Sequence, residues 1–249
     1  AELIKVLFEN IEGKVGIVRP TFEEYPNRLK PKQIVTYQAK CPDFSYSADD
    51  LMTYFADKDI ESLLLINPDN PTGNYISYAD CLRLADWCQQ RNILFVLDES
   101  FIDFSVEHPT FFKDDILEQY SNLVVIKSIS KSYGVPSLRL GILATSNVDI
   151  MTIIRRSVSI WNINSFAEFF LQILGKYEAS YQQAMDEFRA ERARFVDELH
   201  KIGFLRVLPS EANYLLCEVK QPHTPRELAI RLLKDYDILI KDCTSKCNA

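Results

Sequence analysis

Three short apolar runs set the limits on what this chain can fold into. Leu63–Ile66, Leu94–Leu97 and Leu123–Ile126 carry no polar side chain, and each runs straight into a loop rich in polar groups. Such runs are too short for buried helices and apolar on both faces, so they read as strands covered on both sides. Val15–Val18, Ile34–Tyr37 and Leu138–Ala144 supply three more strand candidates. Between them lie helical stretches. In one, Ser77 precedes a helix to about Arg91, with Leu82, Ala85 and Trp87 available for its inner faces. Strands alternating with helices imply βαβ units, an α/β class and a mostly parallel sheet flanked by helices. In an open sheet of that kind a ligand lies outside the carboxyl ends of the strands. The loops leaving those ends are therefore where chemistry is expected.

The loop after the third run is the richest. It reads Ser128-Ile129-Ser130-Lys131-Ser132-Tyr133-Gly134-Val135-Pro136-Ser137-Leu138-Arg139. A lysine amine forms a Schiff base with a carbonyl and becomes a nucleophile when its pKa is lowered. Two serine hydroxyls, of Ser128 and Ser130, and the planar guanidinium of Arg139 suit a phosphate monoester. A carbonyl-bearing cofactor with a phosphate tail satisfies both demands, and pyridoxal 5′-phosphate is such a molecule. The other two loops add to this. Asp98 closes the run Leu94–Leu97, and a fixed carboxylate keeps a proton on a pyridine nitrogen. Asn70, in Asn67-Pro68-Asp69-Asn70-Pro71-Thr72-Gly73, offers an amide to a ring hydroxyl. Singly, each has a plainer reading: a surface lysine, a helix-capping aspartate, an ordinary turn. Together and in this order they point to a pyridoxal-phosphate site with Lys131 and Asp98 as its catalytic candidates.

These stretches resemble the fold-type I pyridoxal-phosphate enzymes of the class I/II aminotransferase group. Within that group the chain is similar to histidinol-phosphate aminotransferases and threonine-phosphate decarboxylases. The matching segments are Arg19-Pro20-Thr21-Phe22-Glu23-Glu24-Tyr25, the Asn70 turn, Asp98 to Phe104, the Lys131 block, and Glu211-Ala212-Asn213-Tyr214-Leu215-Leu216. The resemblance implies that Lys131 carries the cofactor as an aldimine and later moves protons at the substrate carbon. It implies that Asp98 pairs with the ring nitrogen and that Asn70 bonds the ring hydroxyl. Ser128, Ser130 and Arg139 would hold the phosphate, Phe22 would stack on the ring face, and Asn213 would help position the substrate carboxylate. A homodimer with sites at its interface, and small amino and keto substrates, follow from the same resemblance.

Two departures matter. Many aminotransferases carry a tyrosine three residues after the aspartate, whereas this chain has Phe101, as the threonine-phosphate decarboxylase version does. The chain also opens on Ala1-Glu2-Leu3-Ile4, which looks like the tail of a phosphate-binding motif, and stops before the expected carboxylate-clamping arginine. It is therefore read as a fragment, with fusion to another enzymatic domain an open prospect. The expected reaction is amino transfer between a small amino compound, phosphorylated or phosphonate in some versions, and a keto acid or aldehyde. The runner-up is decarboxylation of the threonine-phosphate type. A third reading is an aminotransferase-like domain of a multidomain protein that binds without turnover.

The remaining pattern divides the chain into a cofactor-binding body over 1–164, a bridging helical region over 165–202 and a partial small α+β domain over 203–249. In the bridge, Asn164-Ser165 caps a long helix broken near Gly175. The small domain is expected to hold strands Phe204–Leu208, Asn213–Val219 and Ile238–Ile240, with a helix from Thr224 to about Asp235. Lys and Arg number 28 against 35 Asp and Glu, a net charge of −7 without a basic stripe, so nucleic acid is a poor partner. Six cysteines without a CxxC pair, and no signal peptide, suggest a reducing cytoplasm rather than a disulfide framework. Cys243 and Cys247 lack companion ligands, so no metal is expected. The three histidines do not neighbour a nucleophile, and no apolar run is long enough for a bilayer.

Overall fold

The computed structural model describes residues 1–247. A six-stranded sheet lies at its centre. The strands are β1 (Val15–Arg19), β2 (Ile34–Gln38), β3 (Ser62–Ile66), β4 (Leu94–Asp98), β5 (Leu123–Ser128) and β6 (Gly141–Ala144), in the order β2-β1-β3-β4-β5-β6. β1 to β5 pair in parallel, and β6 runs antiparallel to β5. Ile66 lies beside Asp98 and Asp98 beside Ile126, so β3, β4 and β5 finish level with one another. Their loops accordingly leave from one edge of the sheet.

The period of two along each strand feeds two separate cores. Leu63, Leu65, Phe95, Leu97, Leu123 and Val125 point to one face, where α2 (Ala48–Phe55) and α3 (Tyr78–Gln90) cover them. Leu64, Ile66, Val96, Val124 and Ile126 point to the other, under α1 (Glu2–Glu9) and α5 (Val148–Ser157). The short helix α4 (Asp114–Gln119) contributes Ile116 to the first core. Gly16 in β1 is needed for this packing, because a Cβ there would sit 2.8 Å from the Phe55 ring. Ser47 and Ser77 cap α2 and α3 by accepting the N–H of Asp50 and of Asp80.

Beyond the sheet, Asn164 caps α6 (Ser165–Leu174) by accepting from Ala167 N–H, and a 3-10 turn at Gly175–Tyr177 leads into α7 (Glu178–His200). β7 (Leu205–Val207) and β8 (Cys217–Val219) pair antiparallel, followed by α8 (Pro225–Tyr236) and the short α9 (Thr244–Cys247). α7 is fastened to the body by Arg192, whose guanidinium donates to the carbonyls of Phe104 (3.0 Å) and Ala212 (2.9 Å) and pairs with Glu211.

Three strand expectations are corrected. The stretch Leu138–Ala144 becomes a strand only from Gly141, because Pro136 starts a 3-10 turn and Arg139 takes a left-handed conformation at φ 58°. Asn213–Val219 is strand only over Cys217–Val219, since the chain at 210–214 folds into a turn held by the Ser210 hydroxyl on the Tyr214 carbonyl. Ile238–Ile240 is not a strand: Asp237, left-handed at φ 56°, ends α8, and the three residues lie exposed.

Two buried carboxyls beside the sheet edge make a prediction about pH. Glu99 accepts the Thr110 hydroxyl at 2.6 Å and Phe111 N–H at 2.8 Å, and Asp69 accepts the Thr72 hydroxyl at 2.8 Å. Burial outweighs these bonds and pushes both groups up to about 7. In the unfolded chain they titrate near 4. A raised folded pKa holds the proton in the native state, so the stabilisation is full below about 4 and is lost as pH rises through about 7. Glu99→Gln keeps the shape without the charge. Thermal melts of the two proteins will therefore show the variant gaining on the parent between about pH 4 and pH 7 and holding that gain above it. A constant difference would mean that Glu99 ionises in the fold without penalty.

Candidate active site

A cavity of about 480 Å³ opens at the carboxyl edge of the sheet. Its lining includes Phe22, Asn70, Asp98, Ser128, Ser130, Lys131 and Arg139, which arrive from four separate loops. All the expected site residues except Asn213 are thus brought together; Asn213 is exposed and lies outside the lining.

Asp98 is the best-defined group. It is 4% exposed at the end of β4, where alternation turns it away from Leu97's core and towards the cavity. Oδ2 accepts the Tyr25 hydroxyl at 2.6 Å and Oδ1 accepts the Ser100 N–H at 2.8 Å. Ser100 Oγ in turn accepts Ser128 N–H at 3.0 Å, which cross-links the ends of β4 and β5. The carboxylate is therefore fixed on both oxygens before any ligand arrives.

Lys131 stands at the cavity mouth with Nζ 4.7 Å from the centre of the Phe101 ring. Partial burial lowers its pKa, Asp98 opposes that shift and Arg139 adds to it. The second lysine of the lining, Lys127, is already engaged with Asp103 at 2.6 Å. Phe101 itself is buried and meets Tyr214 edge-on at 5.0 Å. The Asn70 turn is pinned from the carboxyl-terminal side. Tyr214 donates to the Asp69 carbonyl at 2.8 Å, and Glu211 N–H donates to Gly73 O at 3.0 Å. Gly73, at φ 79°, has Ser210 where a Cβ would stand, so no larger residue fits.

Tyr25 and Ser100 were not singled out from the sequence. Tyr25 ends the Phe22 segment and looks like one more core aromatic there. Its partner lies 73 positions away, which no local spacing reveals.

The sheet and the cavity together define an α/β protein with a lysine, a carboxylate and a set of hydroxyl and guanidinium donors at one sheet edge. The family model of aminotransferase class I and II matches residues 1–246, and the chain belongs to that family. It is 32% identical over 99% of its length to the CMP-5′-(3-aminopropyl)phosphonate synthase of Streptomyces rubellomurinus, covering 39% of that protein. It is 32% identical over 92% of its length to the threonine-phosphate decarboxylase of Salmonella typhimurium, covering 62%. Among solved structures, the histidinol-phosphate aminotransferase of Clostridium acetobutylicum superposes with a TM-score of 0.86 at 28% identity, over 98% of this chain and 72% of that one. The chain therefore spans less than two thirds of the length of these two curated relatives. No helix among the described residues is long and apolar enough to cross a membrane.

Pyridoxal 5′-phosphate is the cofactor of the family, and the residues present fit it. An amine, a preset carboxylate, a primary amide, two hydroxyls, a guanidinium and an aromatic face all border one cavity of suitable size.

Proposed function

We propose that the chain is the cofactor-binding part of an enzyme that decarboxylates an α-amino acid bearing a phosphate or phosphonate group. The observation that carries this reading is Phe101, placed against the Lys131 amine where many aminotransferases have a tyrosine. The names of the relatives support the substrate class, since aminopropylphosphonate, threonine phosphate and histidinol phosphate all join an amine to a phosphorus group. Amino transfer, expected first from the sequence, is the second reading; the likeness to the histidinol-phosphate aminotransferase favours it.

Bound in the cavity, pyridoxal phosphate supplies a sink for the electrons left when a bond to the substrate's α-carbon breaks. The chain's own residues do the rest. Ser128, Ser130 and Arg139 bind the phosphate, and Phe22 covers one face of the ring. Asn70 orients the ring hydroxyl, and Asp98 holds a proton at the ring nitrogen. Lys131 anchors the cofactor and delivers a proton to the α-carbon, a task suited to an amine whose pKa is lowered. Asn213 is retained only as a proposal for the substrate carboxylate, because its side chain lies outside the cavity lining. A homodimer is part of the same proposal. The exposed Ile160, Trp161, Phe166 and Phe169, beside the cavity residue Ile163, offer an apolar surface for it.

The experiment is direct. Full-length protein loaded with cofactor is given threonine phosphate, and in parallel an amino donor with a keto acid. Release of carbon dioxide without transfer of the amino group supports decarboxylation. Appearance of the amino group on the keto acid, without carbon dioxide, overturns it and establishes amino transfer.

A further inference from the structure

We infer that Tyr25 is a positioning residue for the ring-nitrogen carboxylate, and that one turn, residues 22–25, sets both the face and the nitrogen contact of the cofactor. The inference rests on the proposed role of Asp98. Tyr25 is fully buried, yet its hydroxyl is not idle: it donates to Asp98 Oδ2 at 2.6 Å. An O–H donating to a carboxylate at that distance is a strong, charge-assisted bond. The ring is held by packing, with Phe8 edge-on at 4.9 Å and Phe22 at 6.2 Å and 81°. Tyr25 N–H returns to the Phe22 carbonyl at 3.3 Å and closes the turn. Phe22 and Asp98, far apart in sequence, are thereby joined through one side chain. Burial and the neighbouring carboxylate raise the phenol's pKa well above its ordinary value, so it stays a donor.

The chemistry follows from hydrogen-bond balance. A donor on the carboxylate favours its charged form and weakens it as a base. The proton shared with the ring nitrogen is then left on the nitrogen. Without the Tyr25 hydroxyl that donor is gone, and the shared proton is expected to sit less firmly on the ring nitrogen.

The test is NMR of the ring nitrogen, using isotope-labelled cofactor in the intact holoenzyme. Tyr25→Phe removes one hydroxyl and leaves the ring. The nitrogen signal is expected to move towards the value of neutral pyridine, with cofactor affinity weakened about tenfold. Replacing Tyr25 by a fluorinated tyrosine, a stronger donor, is expected to move the signal the other way; this variant keeps the test open if Tyr25→Phe does not fold. Phe8→Leu, which loosens the ring but spares the hydroxyl, is expected to lower thermal stability without moving the signal. Asp98→Asn separates the two layers of the argument. If it leaves the nitrogen signal in place, the Asp98 assignment itself fails. If it moves the signal and neither Tyr25 variant does, Tyr25 is only a core residue and the inference is overturned.

Discussion

Lys131→Ala is expected to abolish covalent attachment of the cofactor and to lower turnover by roughly three orders of magnitude or more, the scale of losing both a nucleophile and a general acid. The wild-type protein, loaded with cofactor, should be yellow. Borohydride should bleach it and fix the cofactor to one lysine, which peptide mass mapping then identifies. Two lysines border the cavity, and the structure discriminates between them. The Lys127 amine is paired with Asp103 at 2.6 Å, with both side chains largely buried, and leaving that bond would strand a buried carboxylate. Lys131 has no ion-pair partner among the described residues, and partial burial lowers its pKa. A label recovered on Lys127 would overturn the assignment. Recovery on Lys131 alone, with Lys131→Ala left colourless after dialysis, is the expected result.

Asp98→Asn is expected to give the second-largest loss. An asparagine oxygen and amide can still meet Ser100 N–H and the Tyr25 hydroxyl, so the fold and melting temperature should change little. The charge, however, is gone. A paired carboxylate shifts a partner's pKa by roughly 1–3 units, so the ring nitrogen should lose its proton near neutral pH. Turnover is expected to fall on the order of a hundredfold, read from steady-state rates on whichever substrate the first assay identifies. The rival role of Asp98 is purely local, since its Oδ1 already serves the N–H two residues on. Near-normal turnover in the asparagine variant would leave Asp98 with that local role only.

Much of this site could be read in advance because sheet periodicity does the placing. Leu63–Ile66, Leu94–Leu97 and Leu123–Ile126 are apolar on both faces, so their strand state and burial leave little choice, and parallel pairing sends their trailing loops to one edge. Asn70, Asp98 and Lys131 then converge without any knowledge of contacts. The misses have physical causes too. Arg139's left-handed backbone and Pro136 cut the sixth strand short, and such a turn competes with an apolar run that otherwise looks extended. The helices α1, α2, α4 and α5 are only six to ten residues long and borrow their stability from packing, so propensity marks them weakly. Tyr25 was invisible for a different reason. Whether a buried tyrosine is a hydrocarbon or a donor depends on what faces its oxygen, and that is a property of the tertiary fold.

The chain of bonds from Ser128 through Ser100 to Asp98, together with the Arg192 clasp on Phe104 and Ala212, makes two sides of the cavity unequal. The wall carrying Asp98 and Ser128 is braced by strands, a long helix and a buried guanidinium. Val158, Asn162 and Ile163, which also line the cavity, belong to the irregular stretch between α5 and α6. Asp98, Ser100 and Ser128 on the braced wall share hydrogen bonds, whereas Val158, Asn162 and Ile163 enter no side-chain hydrogen bond among the described residues. On the proposed function, substitutions at Val158, Asn162 and Ile163 are expected to alter substrate preference while leaving those bonds in place.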